Sequence, residues 1–232
     1  MTDFFTENAS KAYDQKNHAL APIAENMHFL IRLVLKDLPA RARILCVGVG
    51  TGAEILSLAK NHPEWRFVGV DPSAAMLAVC SERLKDAHLS DRCELVHGYV
   101  QDVAPEEDFD AVLSVLVGHF IEQSERLDFY RNMQQRLKAG GYFINTEISF
   151  DLEAPEFPAM LENWKSVQAL MGATPDNLGN LAETLRDHLS ILSPAMVKDL
   201  IRVSGIAMPV KFFQAFMISG WYGQKDPVSL SR

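Results

Sequence analysis

Three glycines spaced two apart, Gly48, Gly50 and Gly52, separate the apolar run "ARILCV" from a helical pattern, and a carboxylate, Asp71, follows 19 residues after the last of them. Residues without a Cβ let a ligand approach the main chain, and a helix opening near Thr51–Ala53 presents unpaired N–H groups to an anion. A carboxylate at that distance, at the end of the next strand, is placed to accept both hydroxyls of a ribose. The same letters also read Gly48-x-Gly50-x-x-Ala53. The glycines alone therefore fit either a nicotinamide or flavin dinucleotide or an adenosyl cofactor that has no pyrophosphate.

Such residues meet only if strands bring them to one edge. "ARILCV", "RFVGVD", "RCELVHG", "FDAVLSVLVG" and "GYFINTEISF" read as short apolar strands, separated by amphipathic stretches. That alternation predicts a doubly wound α/β domain, a parallel sheet covered on both faces. Ser73 is expected to cap the helix after the second strand, and the pair Gly140–Gly141 to stop the helix begun at "SERLDF". Ahead of the sheet, 9–38 reads as helix, broken near Pro22 and ended by Pro39. Residues 151–190 hold no strand-like run and read as helices around Phe157–Met171 and Leu178–Leu189. "VKFFQAF" and "MISGWYGQK" then form an antiparallel hairpin at the sheet edge. The expected organisation is an N-terminal helical cap over 1–40 and one domain over 41–232, with a helical lid at about 151–190.

In a doubly wound sheet the ligand lies at the carboxyl ends of the strands, where strand order reverses. Those ends carry the glycine turn, Asp71, Gly98–Val100 and Val115–His119. His119 is the candidate base or acceptor-orienting group. Glu147, late on the fifth strand, is the second catalytic candidate, for a cationic acceptor. Phe157, Met160 and Trp164 at helical spacing could close over a substrate or belong to the core. The lid has seven acids and two bases, which favours a small uncharged or cationic acceptor.

These segments resemble the class I S-adenosylmethionine-dependent methyltransferases over roughly 41–225. "ILCVGVGTG" matches the cofactor loop, "FVGVDPSAAML" the ribose segment, "LVHGYVQD" the adenine segment, and "RLKAGGYFI" with "FFQAFMISGWYGQK" the end of the sheet. The resemblance implies a Rossmann-like seven-stranded sheet with its last strand antiparallel. It also implies S-adenosyl-L-methionine as cofactor, S-adenosylhomocysteine as product, and in-line displacement of the methyl from the sulfonium. It places Gly48, Gly50 and Gly52 against the methionyl and ribose parts, Asp71 on the ribose, and Pro72 and Met76 near the adenine. Tyr99 and Val100 edge the adenine, Val115 lines the floor, and Tyr13 closes over the cofactor. A looser resemblance points to carboxy-S-adenosylmethionine synthase, which needs a positive pocket for a carboxylate. Two positions depart from the pattern: Cys46 stands where an acid usually helps hold the methionyl ammonium, and Tyr99 where an aspartate usually takes the adenine amino group. Asp102 is the substitute for the second. A nicotinamide oxidoreductase and a catalytically degenerate adenosyl-binding module are the rival readings.

A net charge of −8 with no basic block argues against direct nucleic-acid binding. No apolar stretch reaches the roughly 20 residues a bilayer needs. The three cysteines have no metal-like spacing, so buried thiols, no metal and a cytoplasmic location are expected. Trp164, Phe157 and the N-terminal helix offer surface for a homodimer.

Overall fold

The protein is described by a computed structural model over residues 18–104 and 109–226. Its strands are β1 (Arg43–Val47), β2 (Arg66–Asp71), β3 (Cys93–His97), β4 (Phe109–Val115), β5 (Leu137–Ile148), β6 (Val210–Ala215) and β7 (Ile218–Gln224). They form one seven-stranded sheet in the order β3-β2-β1-β4-β5-β7-β6. β1 to β5 pair in parallel, and β7 runs antiparallel to both β5 and β6. This is the expected Rossmann-like sheet. The order turns back between β1 and β4, so the crevice opens above the end of β1.

The period-two alternation of the strands divides the interior. Ile44, Cys46, Phe67, Ala111, Leu113 and Ile144 face one buried cluster, and Leu45, Val47, Val68, Val70, Val112 and Phe143 face the other. The first cluster is covered by helices α1 (Ala21–Val34), α2 (Ala53–Ala59) and α3 (Ala74–Asp86). The second is covered by α4 (Arg126–Gln135) and α8 (Pro194–Val203). The three cysteines are unpaired thiols, with Cys46 and Cys80 buried.

The expected helical break near Pro22 coincides with the start of α1: a 3-10 turn (His18–Leu20) precedes it, and Pro22 sits in its first turn, where its missing N–H has no partner to lose. Two sequence expectations are corrected. The glycine pair does not end a helix, because α4 stops at Gln135 and the chain turns at once into β5. Gly140 and Gly141 lie inside that strand and pair with Lys225, the Gly140 N–H donating to its carbonyl at 2.8 Å. The second helix of the insertion is two, α6 (Pro175–Gly179) and α7 (Leu181–Asp187), following α5 (Phe157–Leu170). Thr174 caps the first of these, its hydroxyl accepting from Asn177 N–H at 3.3 Å.

The insertion is a buttress. Phe157, Trp164 and Val167 of α5 share one buried cluster with Met27 and Ile31 of α1. No helix among the described residues is long and apolar enough to cross a membrane.

Candidate active site

β1 delivers the chain into a turn whose three glycines all have positive φ, +67° at Gly48, +51° at Gly50 and +80° at Gly52. The turn is tied to β2, since the N–H groups of Gly48 and Val49 donate to the Val70 carbonyl at 2.8 and 3.1 Å. A Cβ on Gly48 would strike Val117 of the loop after β4, whereas one on Gly50 would meet nothing within 4 Å. Gly50 therefore faces open space, and its missing side chain keeps that space clear. Gly52 serves a different purpose, because a Cβ there would press on Cys80 Sγ at 2.6 Å. It packs α2 against α3 and is not on the cavity wall.

The space is a cavity of about 770 Å³. Gly48, Gly50, Asp71, Pro72, Met76, Tyr99, Val100 and Val115 all line it. Sequence reasoning named each of these, and the strand ends bring them together. Tyr13 lies outside the described residues.

Asp71 organises the centre. One carboxylate oxygen accepts the Gly50 N–H at 2.9 Å and the other the Ser73 N–H at 2.8 Å. Burial raises its pKa, opposed by those two N–H groups and by His97. Each oxygen retains lone-pair capacity beyond its single bond. Ser73, not Asp71, caps α3, its hydroxyl accepting from Met76 N–H at 3.3 Å. Asp102 does not replace the carboxylate missing at Tyr99. Its side chain accepts the Tyr99 N–H at 2.7 Å within its own turn and is absent from the cavity wall.

The far wall was not foreseen. Glu125, Asp128, Phe129 and Asn132 present one face of α4 to the cavity, with Phe120 and Ile121 leading into it. Their helical spacing after a strand end was the available signal. Leu116, also on the wall, holds φ +59°, a left-handed value uncommon for a branched side chain. Its N–H donates to the Thr146 carbonyl at 2.7 Å.

Both catalytic candidates are displaced from the cavity. His119 is 3% exposed, its Nδ1 accepts from the Ile148 N–H at 3.3 Å, and its ring lies 4.3 Å from that of Phe120. Burial, with a smaller contribution from Arg126, pushes its pKa down to about 3. Enclosed in this way, the ring does not face an acceptor in the cavity. Glu147 is neither a rim ligand nor a solvated carboxylate, because alternation on β5 turns it under α4. It is 0% exposed and takes Arg126 Nη1 at 2.9 Å on both oxygens and the Tyr130 hydroxyl at 2.9 Å. Arg126 Nη2 donates onward to the carbonyls of Ile121 at 3.0 Å and Ser190 at 2.7 Å. A Cβ on Gly118 would collide with the Glu147 carboxylate, so that glycine was the sequence trace of this node. Of the two readings of Phe157, Met160 and Trp164, the core one matches their packing: Phe157 and Trp164 are buried in the first cluster with Met160 against it, and among the described residues none of 151–190 lines this cavity.

The His119 shift sets a pH dependence. The native state keeps the imidazole neutral while the unfolded chain binds a proton below about 6.5, so stability falls as pH drops from about 6.5 toward about 3. A His119→Gln variant is expected to flatten that acid-side slope in chemical denaturation across pH.

Gly50→Ala separates folding from binding. The left-handed φ costs about 1–2 kcal/mol, and the new methyl enters the cavity. Denaturation is expected to show that modest loss, and ligand titration a loss of affinity of at least about tenfold, or about 1.4 kcal/mol.

The cavity fits an adenosyl ligand. Asp71 has acceptors for a sugar diol, Met76, Tyr99, Val100 and Val115 offer apolar walls to a flat ring, and Gly50 leaves space for an arm over the turn. The chain is similar to several known proteins. Residues 44–141 match a family described as "Methyltransferase domain". Over 147 residues the chain is 29% identical to carboxy-S-adenosyl-L-methionine synthase of Campylobacter fetus, covering 62% of this chain and 60% of that one. The chain thus spans less than two thirds of that relative's length. An O-methyltransferase family protein of Burkholderia thailandensis superposes with TM-score 0.68 at 14% identity, over 95% of this chain and 60% of that one. N-methyltransferase NodS of Bradyrhizobium japonicum, solved with S-adenosyl-L-homocysteine, superposes with TM-score 0.60 at 16% identity, over 88% of each.

Proposed function

We propose that this chain, which carries a methyltransferase domain at residues 44–141, is an S-adenosylmethionine-dependent methyltransferase acting on a small-molecule acceptor. The observation that carries the reading is the pairing of Gly50, open to the cavity, with Asp71, whose carboxylate holds the Gly50 N–H at 2.9 Å. Bound there, the cofactor supplies a methyl already activated on a sulfonium. The work left to the protein is alignment and exclusion of water.

Asp71 grips the ribose hydroxyls, and its two main-chain bonds fix the carboxylate before the ligand arrives. Met76, Tyr99, Val100 and Val115 enclose the base. Neither His119 nor Glu147 reaches the cavity, so an acceptor that transfers without a protein base, such as an amine with a free lone pair, suits the site.

Charge on the wall narrows the acceptor. Asp71, Glu125 and Asp128 line the cavity, and among its described lining residues there is no lysine, arginine or histidine. This supports an uncharged or cationic acceptor and favours methyl transfer over a carboxy-transfer reaction that must bind an anion. The test is incubation with methyl-labelled cofactor and separate pools of amines, phenols and dicarboxylates, read by mass spectrometry. Label in an amine or phenol product is expected. Label only in dicarboxylates, or a carboxylated cofactor as product, would overturn the reading.

A further inference from the structure

Asn132 lies on the cavity face of α4, two helical turns beyond Glu125, with about 10 Å of helix between them. Glu125 opens that face beside Phe120 and Ile121. Asn132 closes it next to the segment that follows β3, and Arg136 makes the link. Its Nη1 donates to the Asn132 carbonyl at 2.9 Å and its Nη2 to the Val103 carbonyl at 2.6 Å, just past the single turn Val100–Asp102. Phe129 packs against the buried cluster that holds Val100 and Val103. Val100 and Gln101 line the same cavity. Asn132 therefore belongs to the end of the cavity whose walls suit a flat base.

The amide of Asn132 is fixed in one sense. Its Nδ2 donates to the Asp128 carbonyl, one turn back, at 2.9 Å. Flipped, it would set oxygen against oxygen, lone pair to lone pair. The acceptor left over is Oδ1, which has no partner among the described residues. Gln101 is under no such restraint and can turn either end of its amide to a ligand. Asp102, the carboxylate of the neighbouring turn, is committed to the Tyr99 N–H at 2.7 Å and is off the wall. Adenine presents a donor there, its exocyclic amino group, where a 6-keto purine presents an acceptor. An acceptor that cannot turn pairs with the first and opposes the second.

We propose that Asn132 reads the 6-amino group of the cofactor's adenine through an Oδ1 held in place by the Asp128 carbonyl, so that the site selects a 6-amino over a 6-keto purine. The inference rests on the cofactor reading above and adds to it a specificity-determining residue on α4, away from the strand ends. A neutral amide suits this half-buried position, because it costs less than a charged group to keep out of water before the ligand arrives.

Calorimetric titration of the full chain with S-adenosylhomocysteine and with S-inosylhomocysteine, its 6-keto counterpart, tests this. Wild-type protein is expected to favour the adenosyl ligand at least about tenfold, the scale of one satisfied hydrogen bond against two opposed acceptors. Asn132→Ala is expected to bind the adenosyl ligand about three- to tenfold more weakly and the inosyl ligand no more weakly, so that the preference falls toward one. Loosening of α4 would lower both affinities together and leave their ratio unchanged, so the ratio separates reading from support. Alanine is a strong helix former and the lost bond lies within the helix, so the variant is expected to fold, which denaturation without ligand checks. Asp128→Asn, at the nearest rival acceptor on this face, is expected to keep the wild-type preference. Equal binding of the two ligands by the wild type, an undiminished preference in Asn132→Ala, or a preference lost in Asp128→Asn each overturns the inference and leaves the cofactor reading standing. Failure of S-adenosylhomocysteine to bind the folded wild type removes the cofactor reading and the inference with it.

Discussion

Asp71→Ala is expected to weaken binding of S-adenosylhomocysteine by about 10- to 150-fold. Hydrogen bonds to a charged group contribute about 1.5–3 kcal/mol each, and this carboxylate is the charged group placed to accept a ribose diol. The same change frees the N–H groups of Gly50 and Ser73, which Asp71 holds at 2.9 and 2.8 Å. The turn therefore loosens as well as losing its ligand contact. Asp71→Asn would be no clean control, because the amide turns one acceptor into a donor facing an N–H. Thermal shift separates the two effects. At 100 times its dissociation constant a ligand adds about 2.7 kcal/mol to the stability of the wild type, and the variant should gain far less at that same concentration. Its ligand-free stability, measured by denaturant, reports the loosened turn alone. Because burial raises the Asp71 pKa, affinity should also fail at a higher pH on the acid side than an ordinary aspartate would give. Unchanged affinity in Asp71→Ala would remove the carboxylate from the site.

Arg126→Ala and Glu147→Ala should each lower stability by about 3–5 kcal/mol, since each leaves an uncompensated buried charge. Both side chains are 0% exposed, and Arg126 also secures the carbonyls of Ile121 and Ser190. For a chain of this length the melting temperature should drop on the order of 10 °C. Arg126→Met with Glu147→Leu should lose much less than the sum of the single changes, because an apolar pair removes both charges together. The remaining deficit belongs to the two abandoned carbonyls and to Tyr130, whose hydroxyl donates to Glu147 at 2.9 Å. Strict additivity in this cycle would mean that the pair does not act as a unit. The node also has a functional consequence. Ile121 and Phe120 belong to the cavity wall, so a variant stable enough to assay should bind cofactor less tightly although neither changed residue touches the cavity.

What could be read from the sequence was whatever depends on chain neighbours. Strand alternation and the glycine turn are local, so the sheet, the open position at Gly50 and the placing of Asp71 were all legible, as was the Ser73 cap. The closing hairpin was legible because "VKFFQAF" and "MISGWYGQK" leave almost no residues for a crossover. Side-chain type could not tell what covers a strand end. Glu147 and His119 have the chemistry of catalytic residues, and alternation gave their direction only relative to the strand. Arg126 and Tyr130, one helical turn apart on α4, meet Glu147 only after α4 has packed on β5, and that packing turned a candidate ligand into a buried anion. Trp164 and Phe157 suited a lid until α1 offered a larger apolar surface to bury them. Local rules govern φ and short-range spacing, whereas burial and pairing depend on surfaces that come together only when distant segments pack.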